Sequence, residues 1–427
     1  MTGSQPAPPP LRNDCFALPP GVDWTPVDTA LDRLRQSLTP LTAIETIDTG
    51  QALGRVLAEA PVAQNPHPPF ANAAVDGYGF AHGTVAAGTG DGTCRLPLVA
   101  GRAAAGAGFA GAVPPGHALR ILTGARLPGG VDTIVLEEDT RIEDGTVRFS
   151  TGLRKAANTR PMGEDFQIAA PVLPPGRRIT SGDLALLATA GIARIAVRER
   201  LRVAILSTGD ELVPLGQPRK TGQITDANRP MLAGLLGRWG FDCLDLGALP
   251  DDPALIRRAL DQGADEAHAI LTTGGASAGD EDHISALLRS AGQLTTWRIA
   301  LKPGRPLALA LWNGVPVFGL PGNPVAAFVC SLIFARPALL ALAGAPWETP
   351  LGFPLQARFA KSKKPGRSEF LRARRADAAS VDVFASEGSG RVSGLSFADG
   401  LIALGPEART IAEGDPVTYI PFSEFGL

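Results

Sequence analysis

The sequence predicts a multidomain α/β protein whose largest domain is a mainly parallel sheet covered by helices on both faces. A chain of 427 residues is long enough for about two to four domains. Apolar strand patterns alternate with helix patterns over 201–345, which is typical of parallel sheets in α/β proteins. Over 70–155 the apolar runs are instead short and broken by glycine, which indicates a smaller β-rich domain.

The amino-terminal segment begins with a region that predicts no packed structure. Residues 1–21 are polar and rich in proline, and we expect them to form a disordered arm. The string VDTALDRLRQSL follows. In it Val27, Leu31, Leu34 and Leu38 recur at helical spacing, so the string predicts an amphipathic helix.

The next segments predict one domain inserted into another. Short apolar runs and the hairpin-like string RIEDGTVRFS predict a β-rich domain over 70–158. SGDLALLATAG predicts a helix after it, with Ser181 and Asp183 suited to its N-terminus. We therefore expect 22–69 and 159–200 to form one discontinuous domain of mixed helical and extended structure, which serves as linker and dimerisation domain.

The 201–345 segment is predicted element by element. The predicted strands are LRVAILST, FDCLDLGAL, HAILTTGG, TTWRIALKPG, LALALW and VPVFGL. The predicted helices are ANRPMLAGLLGRWG, PALIRRALDQGADEA, HISALLRSAG and NPVAAFVCSLIFARPALLALAG. Over 346–427, short apolar runs between turn residues predict a separate all-β domain.

Composition excludes several classes of protein. Hydrophobic residues make up 44% and charged residues 19% of the chain, and the net charge is -2 at pH 7. This balance favours a soluble globular protein over a disordered or nucleic-acid-coating one. We expect no membrane segment, because the most apolar run, 325–335, is shorter than the roughly 20 residues that a spanning helix needs.

The cysteines and histidines predict no metal cluster and no disulfide framework. Cys15, Cys94, Cys243 and Cys330 are far apart in the sequence, which fits a reducing cytoplasm. The first ten residues carry no charged side chain and no apolar run follows them, so we expect no signal peptide. The five histidines include no HExxH string and no close pair, so zinc held by protein ligands is not expected.

The loops after the predicted strands of 201–345 contain most of the candidate functional residues. Carboxyl ends of parallel strands meet at one edge of a sheet, so these loops should converge there. The loops are Ser207-Thr208-Gly209-Asp210-Glu211-Leu212, Pro250-Asp251-Asp252, Thr273-Gly274-Gly275-Ala276-Ser277-Ala278-Gly279-Asp280-Glu281-Asp282, Lys302-Pro303-Gly304-Arg305-Pro306 and Leu320-Pro321-Gly322-Asn323-Pro324.

These loops combine three kinds of chemistry. Their glycines let the backbone approach an anion, and their carboxylates suit a hard cation such as Mg²⁺ or acid–base work. Lys302 and Arg305 can neutralise phosphate-like charge. Together the loops predict a phosphorylated ligand bound with magnesium. Each loop alone is also compatible with a purely structural role as a tight turn or a helix cap. Neither a Walker pattern nor a GxGxxG string after the first strand is present.

Eight strings, in this order, resemble the molybdopterin molybdenumtransferases, the MoeA family that includes the E domain of gephyrin. They are ANAAVDGYGF, ILTGARLPGGVDTIVLEED, RPMGEDF, LSTGDEL, GQITDANRP, TTGGASAGDEDH, ALKPGRPLALA and GLPGNPV. They cover about 70–325, and RSEFLRAR and VSGLSFADGLIALGP extend the resemblance into the last domain.

The resemblance implies a fold and a reaction. It implies four domains: a molybdopterin-binding α/β domain over 201–345, the discontinuous domain, the inserted β-rich domain, and a small β-barrel-like domain over 346–427. It also implies a homodimer, with each active site between the α/β domain of one subunit and the 70–158 region of the other. The implied substrates are adenylylated molybdopterin and molybdate. AMP is released with Mg²⁺ assisting, and the pterin supplies the sulfur ligands.

The resemblance assigns roles to residues at matching positions. It implies catalytic roles for Asp76, Thr123, Glu211, Asp251, Asp282 and Lys302. Of these, Glu211, Asp251 and Asp282 would hold magnesium or position the attacking oxygen, and Lys302 would pair with phosphate or molybdate. Binding of the pterin substrate falls to Ser207, Thr208, Gly209, Gly274, Gly275, Ser277, Gly279, Arg298, Pro303, Gly304, Arg305, Pro321, Gly322, Asn323 and Pro324.

This chain departs from the family pattern at three positions. Arg298 and Arg305 stand where the family often has lysine, and arginine presents a planar fork in place of a point charge. In the last domain the family usually has paired serines, whereas this chain has Ser393-Gly394. The resemblance there points to Ser393 and to Arg367 or Arg372.

Two other functions remain open at the sequence level. A molybdopterin adenylyltransferase uses the same α/β domain but lacks the 70–158 and 346–427 regions. A non-catalytic scaffold is the second alternative, although the chain's spare segment is the short arm 1–21. We also expect an adenylyltransferase and proteins that mature molybdoenzymes as partners, and neither nucleic acid nor a membrane.

Overall fold

The computed structural model describes residues 24–85, 92–274, 283–290, 294–304, 306–386, 388 and 390–427. Of these, the side chains of 294–298 and 306–307 are not described. The predicted arm 1–21 lies outside the described residues. The chain forms two compact units. Unit 1 comprises residues 1–44 and 198–427, and unit 2 comprises residues 45–197.

The first helix, α1 (Val27–Ser37), confirms the amphipathic pattern and belongs to unit 1. Its apolar face buries Val27, Ala30 and Leu34. It packs against a later helix of unit 1 over Arg336–Leu342, and the Leu41 N–H donates to the Leu342 carbonyl at 2.8 Å. The division at residue 44 therefore differs from the expected domain of 22–69, because the contacts of α1 are made far downstream in the sequence.

In unit 2 the described residues, which leave out 86–91, form ten strands and one α-helix. The strands are β1 (Ile44–Asp48), β2 (Asn72–Ala73), β3 (Gly77–Phe80), β4 (Thr93–Ala103), β5 (Ala118–Ile121), β6 (Thr133–Leu136), β7 (Arg141–Glu143), β8 (Thr146–Ser150), β9 (Thr159–Arg160) and β10 (Arg194–Arg198), and the helix is α2 (Ser181–Thr189). Strands β1 and β10 pair, and residues from 52–63 and 173–197 share one apolar core.

Strands β2 and β9 form a second pair, and the other strands of unit 2 form a six-stranded sheet with strand order β6-β3-β5-β4-β8-β7. The predicted hairpin is confirmed: β7 and β8 pair around Asp144 and Gly145, whose φ values of 48° and 72° suit a tight two-residue turn. Strand β3 runs between two neighbours, and a side chain at Gly77 would overlap the Val135 carbonyl. The glycine therefore lets the strand that follows Asp76 enter the sheet.

Unit 1 contains the predicted α/β sheet. Its strands are β11 (Arg202–Thr208), β12 (Leu212–Val213), β13 (Ile224–Thr225), β14 (Asp242–Leu249), β15 (Ala269–Thr273), β16 (Leu294–Arg298), β17 (Leu301–Lys302), β18 (Pro306–Trp312) and β19 (Val315–Leu320). Its helices are α3 (Asn228–Trp239), α4 (Pro253–Glu266), α5 (His283–Ser290), α6 (Pro324–Cys330) and α7 (Arg336–Leu342), with a π-helical turn at Ser331–Ala335 between the last two.

The strand order of this sheet is β14-β11-β15-β19-β18-β16. The first four strands are parallel, as predicted, whereas β18 runs antiparallel to both of its neighbours. The reversal follows from the Asn313-Gly314 turn, where φ values of 50° and 83° close a two-residue hairpin between β18 and β19. Because the direction reverses twice, β16 ends at the same edge as β19.

The last domain is a closed β-barrel, which confirms the barrel-like prediction. Its elements are β20 (Phe353–Ala357), β21 (Lys361–Lys363), β22 (Ser368–Arg375), β23 (Ser380–Val383), α8 (Ser393–Phe397), β24 (Gly400–Leu404), β25 (Arg409–Ile411) and β26 (Pro416–Pro421). Strands β22, β23, β20, β26 and β24 pair in a closed ring, since β24 pairs again with β22. Strand β17 of the α/β domain adds to this sheet by pairing in parallel with β22.

The continuous helical stretch Pro324–Leu342 is longer than the apolar run suggests. It extends 19 residues with a mean hydropathy of 2.1, which by length and composition would suffice to cross a membrane. However, 94% of its most apolar window is buried within the chain. Arg336, where the apolar run was expected to end, is buried and pairs with Glu348 at 2.7 Å. Burial rather than length therefore identifies this stretch as a core helix of unit 1.

Helix α2 begins with a capping box, from which a pH-dependent stability follows. Asp183 accepts hydrogen bonds from Thr180 and Arg177 at 2.8–2.9 Å. Burial alone raises the pKa of Asp183, but these bonds outweigh it and lower the pKa below 3.8. Since they favour the ionised carboxylate, their stabilisation is complete above pH 3.8 and is lost as the pH falls through the lower folded-state pKa.

We expect Asp183→Asn to lower the free energy of unfolding by about 1 kcal/mol near pH 6, measured by urea denaturation. The difference from the unsubstituted protein should narrow when the measurement is repeated near pH 3, where the carboxylate becomes protonated. The exposed Asp165→Asn serves as control. An equal loss at both pH values would contradict the role of the ionised carboxylate.

Candidate functional site

The loops at the carboxyl edge of the unit 1 sheet converge as predicted. The loops after β11, β14, β15 and β19 leave the parallel strands at one edge, and the loop after β16 joins them. Gly274 has a φ of 86°, and a side chain there would overlap the Thr208 carbonyl. The glycine thus allows the first and third loops to touch.

The first loop brings Glu211 back over its own backbone. Ser207 is buried, and its hydroxyl lies 2.9 Å from the Thr273 hydroxyl on the neighbouring strand. At Gly209 a side chain would come within 2.9 Å of all three atoms of the Glu211 carboxylate. Glycine at this position therefore makes room for the Glu211 carboxylate at the sheet edge.

The second loop separates a capping role from a candidate catalytic one. The Asp252 carboxylate accepts from the Ala254 N–H at 2.7 Å and caps α4. The Asp251 N–H donates to the Asp210 carboxylate at 3.0 Å, which ties the second loop to the first. The arrangement leaves the half-buried Asp251 side chain at the same edge as Glu211.

The Pro321-Gly322-Asn323-Pro324 loop is occupied largely by structural contacts. The Asn323 side chain accepts from the Val325 N–H at 3.1 Å and caps α6, with Pro324 at the first helical position. The Gly322 carbonyl accepts from the Asn228 side chain at 2.8 Å. Gly322 also approaches Gly274, so that this loop packs directly on the third loop.

The motifs predicted no role for two buried polar residues near this edge, Asp226 and Asn228. Asp226 accepts from the backbone N–H groups of Asn228 and Arg229 at 3.0 and 3.2 Å and so starts α3. The Asn228 and Thr208 side-chain oxygens are buried and, within the described part of the chain, have no hydrogen-bond partner. The sequence signal for these residues was the string TDAN, at the junction between the short strand β13 and helix α3. Such oxygens at the sheet edge fit contact with a polar ligand.

Two of the three carboxylates predicted to bind magnesium are among the described residues. Glu211 and Asp251 lie at the edge, whereas Asp282, Gly275, Ser277, Gly279 and Arg305 lie outside the described residues. No group of three Asp, Glu, His or Cys side chains is gathered among the residues that the structure describes. Magnesium is typically held by one or two carboxylates and substrate phosphates, so this donor set fits the ion.

In unit 2 the predicted pair Asp76 and Thr123 is brought together. The Asp76 carboxylate accepts from both the Thr123 hydroxyl at 2.6 Å and the Thr123 N–H at 2.7 Å. These bonds lower the pKa of Asp76. Asp76 is therefore an ionised carboxylate at neutral pH, presented in a fixed orientation next to a hydroxyl.

The segment after β16 carries Lys302 to a cavity in the barrel. Strand β17 pairs with β22 so that Lys302 lies opposite Glu369. A cavity of about 350 Å³ opens beside it, and its lining includes Lys302, Pro303, Lys361, Arg372, Phe384 and Ser386. The sheet edge of the α/β domain and this cationic cavity thus share one segment.

The backbone that places Lys302 is packed tightly. The Lys302–Pro303 peptide is cis, and Gly304 follows with a φ of 111°. A side chain at Gly304 would meet the Cys330 sulfur of α6 at 3.3 Å. Burial raises the pKa of the Cys330 thiol to about 12, so this thiol is a neutral packing group at neutral pH. The Arg298 side chain lies outside the described part of the chain.

Arg372 is the buried cation of the cavity. Its guanidinium donates to the carbonyls of Arg391 and Ser386 at 2.6 Å and of Gly388 at 3.3 Å. It lies 4.9 Å from the centre of the Phe384 ring. Burial lowers the pKa of Arg372, but an arginine stays charged at any ordinary pH. Of the two arginines that the resemblance indicates, Arg372 lines the cavity, whereas Arg367 precedes β22.

Gly394 occupies the position at which the family pattern usually has its second serine. Ser393 and Gly394 begin α8. A side-chain carbon at Gly394 would lie 2.5 Å from the Arg372 guanidinium and 2.8 Å from the Phe384 ring. The volume of that missing side chain is filled by Arg372, so glycine is required for the arginine to sit where it does.

Comparisons with known proteins cover nearly the whole chain. The MoeA N-terminal region, domains I and II, matches 25–191; a probable molybdopterin-binding domain matches 204–341; and the MoeA C-terminal region, domain IV, matches 354–422. A molybdopterin molybdenumtransferase of Haemophilus influenzae is 34% identical over 93% of this chain and 98% of its own length. One from Synechococcus elongatus is 33% identical over 88% and 94%.

Solved structures agree with the fold. The crystal structure of a molybdopterin biosynthesis moeA protein from Pyrococcus horikoshii OT3 superimposes with a TM-score of 0.81. The similarity covers 93% of this chain and 100% of that chain, at 26% sequence identity. The α/β sheet, the β-rich region and the closed barrel are therefore each shared with that protein.

The contact between Gly394 and Arg372 can be tested directly. We expect Gly394→Ala to lower the free energy of unfolding by about 1–3 kcal/mol, because the added methyl must displace a buried, hydrogen-bonded guanidinium. Urea unfolding measures the loss. Gly390→Ala is the matched control, since a side chain there meets nothing within 4 Å. Equal effects of the two substitutions would refute the packing argument.

Proposed function

The chain belongs to the MoeA family, and we infer that it is a molybdopterin molybdenumtransferase acting in molybdenum cofactor biosynthesis. We propose that it takes adenylylated molybdopterin and molybdate and breaks the phosphoanhydride bond with the elements of one water, giving AMP and the pterin phosphate. Molybdenum is left on the two dithiolene sulfurs of the pterin, and the two thiol protons leave with one oxide of molybdate as water. One observation supports this most strongly: Lys302 connects the glycine- and carboxylate-bearing sheet edge to a cationic cavity of about 350 Å³.

The chemistry requires such an arrangement. Molybdate and the adenylate are both anions, and their mutual repulsion must be offset before they can react. We propose that the loops at the sheet edge bind the adenylylated pterin and that the cavity beside Lys302 and Arg372 binds molybdate. Positive groups fixed in a partly buried site stabilise negative charge more strongly than the same groups in water do.

We propose magnesium as the metal cofactor. Glu211 and Asp251 at the sheet edge supply oxygen ligands of the kind that it prefers, and Asp282 follows the glycine-rich string of the same edge. When bound there, the ion would neutralise phosphate charge and polarise the phosphoanhydride. The carboxylates of this chain would hold and orient the ion.

We propose that a second copy of the chain completes each active site. The Asp76–Thr123 pair of unit 2 is exposed to solvent and held by two hydrogen bonds, so it is available to a second copy. Unit 2 also exposes large apolar side chains, including Val62, Met162 and Ile168, which are 52–62% accessible. Burial of such groups against a second copy would favour a homodimer.

We propose a cytoplasmic location. Cys94, Cys243 and Cys330 are free thiols, which suits a reducing compartment.

We propose a catalytic role as a molybdenumtransferase in place of the two alternatives, an adenylyltransferase and a non-catalytic scaffold. The family match over 25–191 and 354–422 goes beyond the α/β domain that an adenylyltransferase needs, so that activity is not favoured. We expect an adenylyltransferase and molybdoenzyme-maturation proteins as partners, because the substrate must be supplied and the product passed on.

The reaction can be tested by measuring AMP release from adenylylated molybdopterin in the presence of Mg²⁺, with and without molybdate. We expect molybdate-dependent release by the unsubstituted protein. Glu211→Ala should remain folded yet lose at least about 100-fold in rate, because a ligand of the reacting centre is removed. The exposed Glu413→Ala, also in unit 1, should keep full activity. Full activity of Glu211→Ala would remove Glu211 from the mechanism.

Sharing of the active site between two copies predicts complementation. Asp76→Ala and Glu211→Ala should each be inactive alone. When the two are denatured together and refolded, mixed dimers should regain one intact site, and about a quarter of the original activity should return, as random pairing gives half mixed dimers. Sedimentation velocity reports whether dimers form. Dimers that stay inactive after mixing would place both residues in the same subunit's site.

A further inference from the structure

We propose that Lys361 is a second lysine ligand of the oxyanion bound beside Lys302, and that Glu369 is a positioning residue that holds the two ammonium groups together. Sequence reasoning assigned no role to either residue. The inference rests on the proposed function, because it takes molybdate as the tetrahedral oxyanion in the barrel cavity.

The two lysines meet at one carboxylate. Lys361 Nζ lies 3.1 Å from Glu369 Oε2, and Lys302 Nζ lies 3.6 Å from Glu369 Oε1. All three side chains are 9–14% exposed, so the cluster is largely shielded from water. Both lysines line the cavity, together with Arg372. Three cationic side chains thus line one small space.

The barrel holds these residues by strand pairing. Lys302 lies opposite Glu369 in the β17–β22 register, and Lys361 is the first residue of β21, which pairs with β25. The neighbouring lysine behaves differently: Lys363 is buried, and its ammonium group donates to the carbonyls of Lys364 and Glu407 at 3.0 and 2.9 Å. Lys363 therefore holds the chain together, whereas Lys361 reaches the cavity.

Electrostatics explains why such a cluster points to an anion. Two ammonium groups close together in a shielded site repel each other, and a bridging carboxylate relieves part of that repulsion. A dianion entering the cavity gains attraction from Lys361 as well as from Lys302 and Arg372. A dianion gains about twice the Coulomb energy of a monoanion from each added charge. Lys361 should therefore favour molybdate over tetrahedral monoanions of similar size.

The test compares Lys361→Met with Lys364→Met in the full-length protein. Lys364 is exposed, belongs to the same barrel segment and does not line the cavity, so its substitution removes the same charge outside the site. Calorimetric titration with sodium molybdate alone and with sodium perrhenate alone measures binding of a dianion and of a monoanion with the same shape. The KM for molybdate in the AMP-release assay is the second readout.

We expect Lys361→Met to weaken molybdate binding by about tenfold, the loss of one charge-assisted hydrogen bond. Perrhenate should weaken by only about threefold, since half the Coulomb energy is lost. The KM for molybdate should rise with kcat nearly unchanged, and Lys364→Met should alter neither. Equal weakening of both anions would indicate a structural role for Lys361, and no weakening would overturn the proposal.

Glu369→Gln tests the positioning role. The amide keeps the size of the side chain but cannot hold two ammonium groups, so molybdate should bind several-fold more weakly. Because part of the role of Glu369 is to hold Lys361, the double variant Glu369→Gln with Lys361→Met should weaken molybdate binding by less than the product of the two single effects. Tighter binding by Glu369→Gln would show instead that the carboxylate only repels the anion. If this variant does not fold, the Lys361→Met comparison still decides the ligand role.

These outcomes separate the inference from the proposed function. An unsubstituted protein that neither binds molybdate nor releases AMP in a molybdate-dependent manner would overturn both. A protein that is active, with a molybdate affinity and KM that Lys361→Met leaves unchanged, would overturn this inference alone.

Discussion

The short parallel pairing between β17 and β22 is the contact on which the arrangement of the site in unit 1 depends. Leu301 and Lys302 lie opposite Ser368 and Glu369, and this pairing is where the segment leaving the α/β sheet joins the barrel. Because this segment is fixed on the barrel, Lys302 lines the barrel cavity. The other loops of the sheet edge belong to the α/β domain. The barrel is thus one wall of the site.

Local sequence patterns predicted most of the elements, since the information for them is local. The 3.6-residue spacing of Val27 and Leu34 predicted α1, and Asp144-Gly145 predicted the β7–β8 hairpin. The antiparallel direction of β18 required the hairpin geometry of Asn313-Gly314 to be read together with the sheet order. The unit that contains α1 was not predictable, because its partner helix lies about 300 residues downstream.

The candidate site was predictable in the same uneven way. Motif strings singled out Glu211, Asp76, Thr123 and Lys302, because glycines beside each of them make its string distinctive, whereas Asp251 stands in the glycine-free string PDDP. Glu369 and Lys361 stand in ordinary strand sequence, where a charged residue usually faces solvent. These residues are placed by the pairing of β21 with β25 and of β17 with β22, which joins segments far apart in the sequence and which no local pattern encodes. Gly394 carried a signal only as a departure, and its meaning became clear from the position of Arg372.

The buried apolar stretch Pro324–Leu342 can complete its packing only late in the synthesis of the chain. Its residue Phe328 stacks edge-on against Phe422 beyond the barrel, at 5.5 Å between ring centres, and Arg336 pairs with Glu348 in the linker before the barrel. A nascent chain that has emerged only as far as the α/β domain therefore lacks the residues that Phe328 and Arg336 contact. Until the barrel has been translated, the part of this apolar helix around Phe328 is incompletely packed, and incompletely packed apolar surface is what chaperones bind.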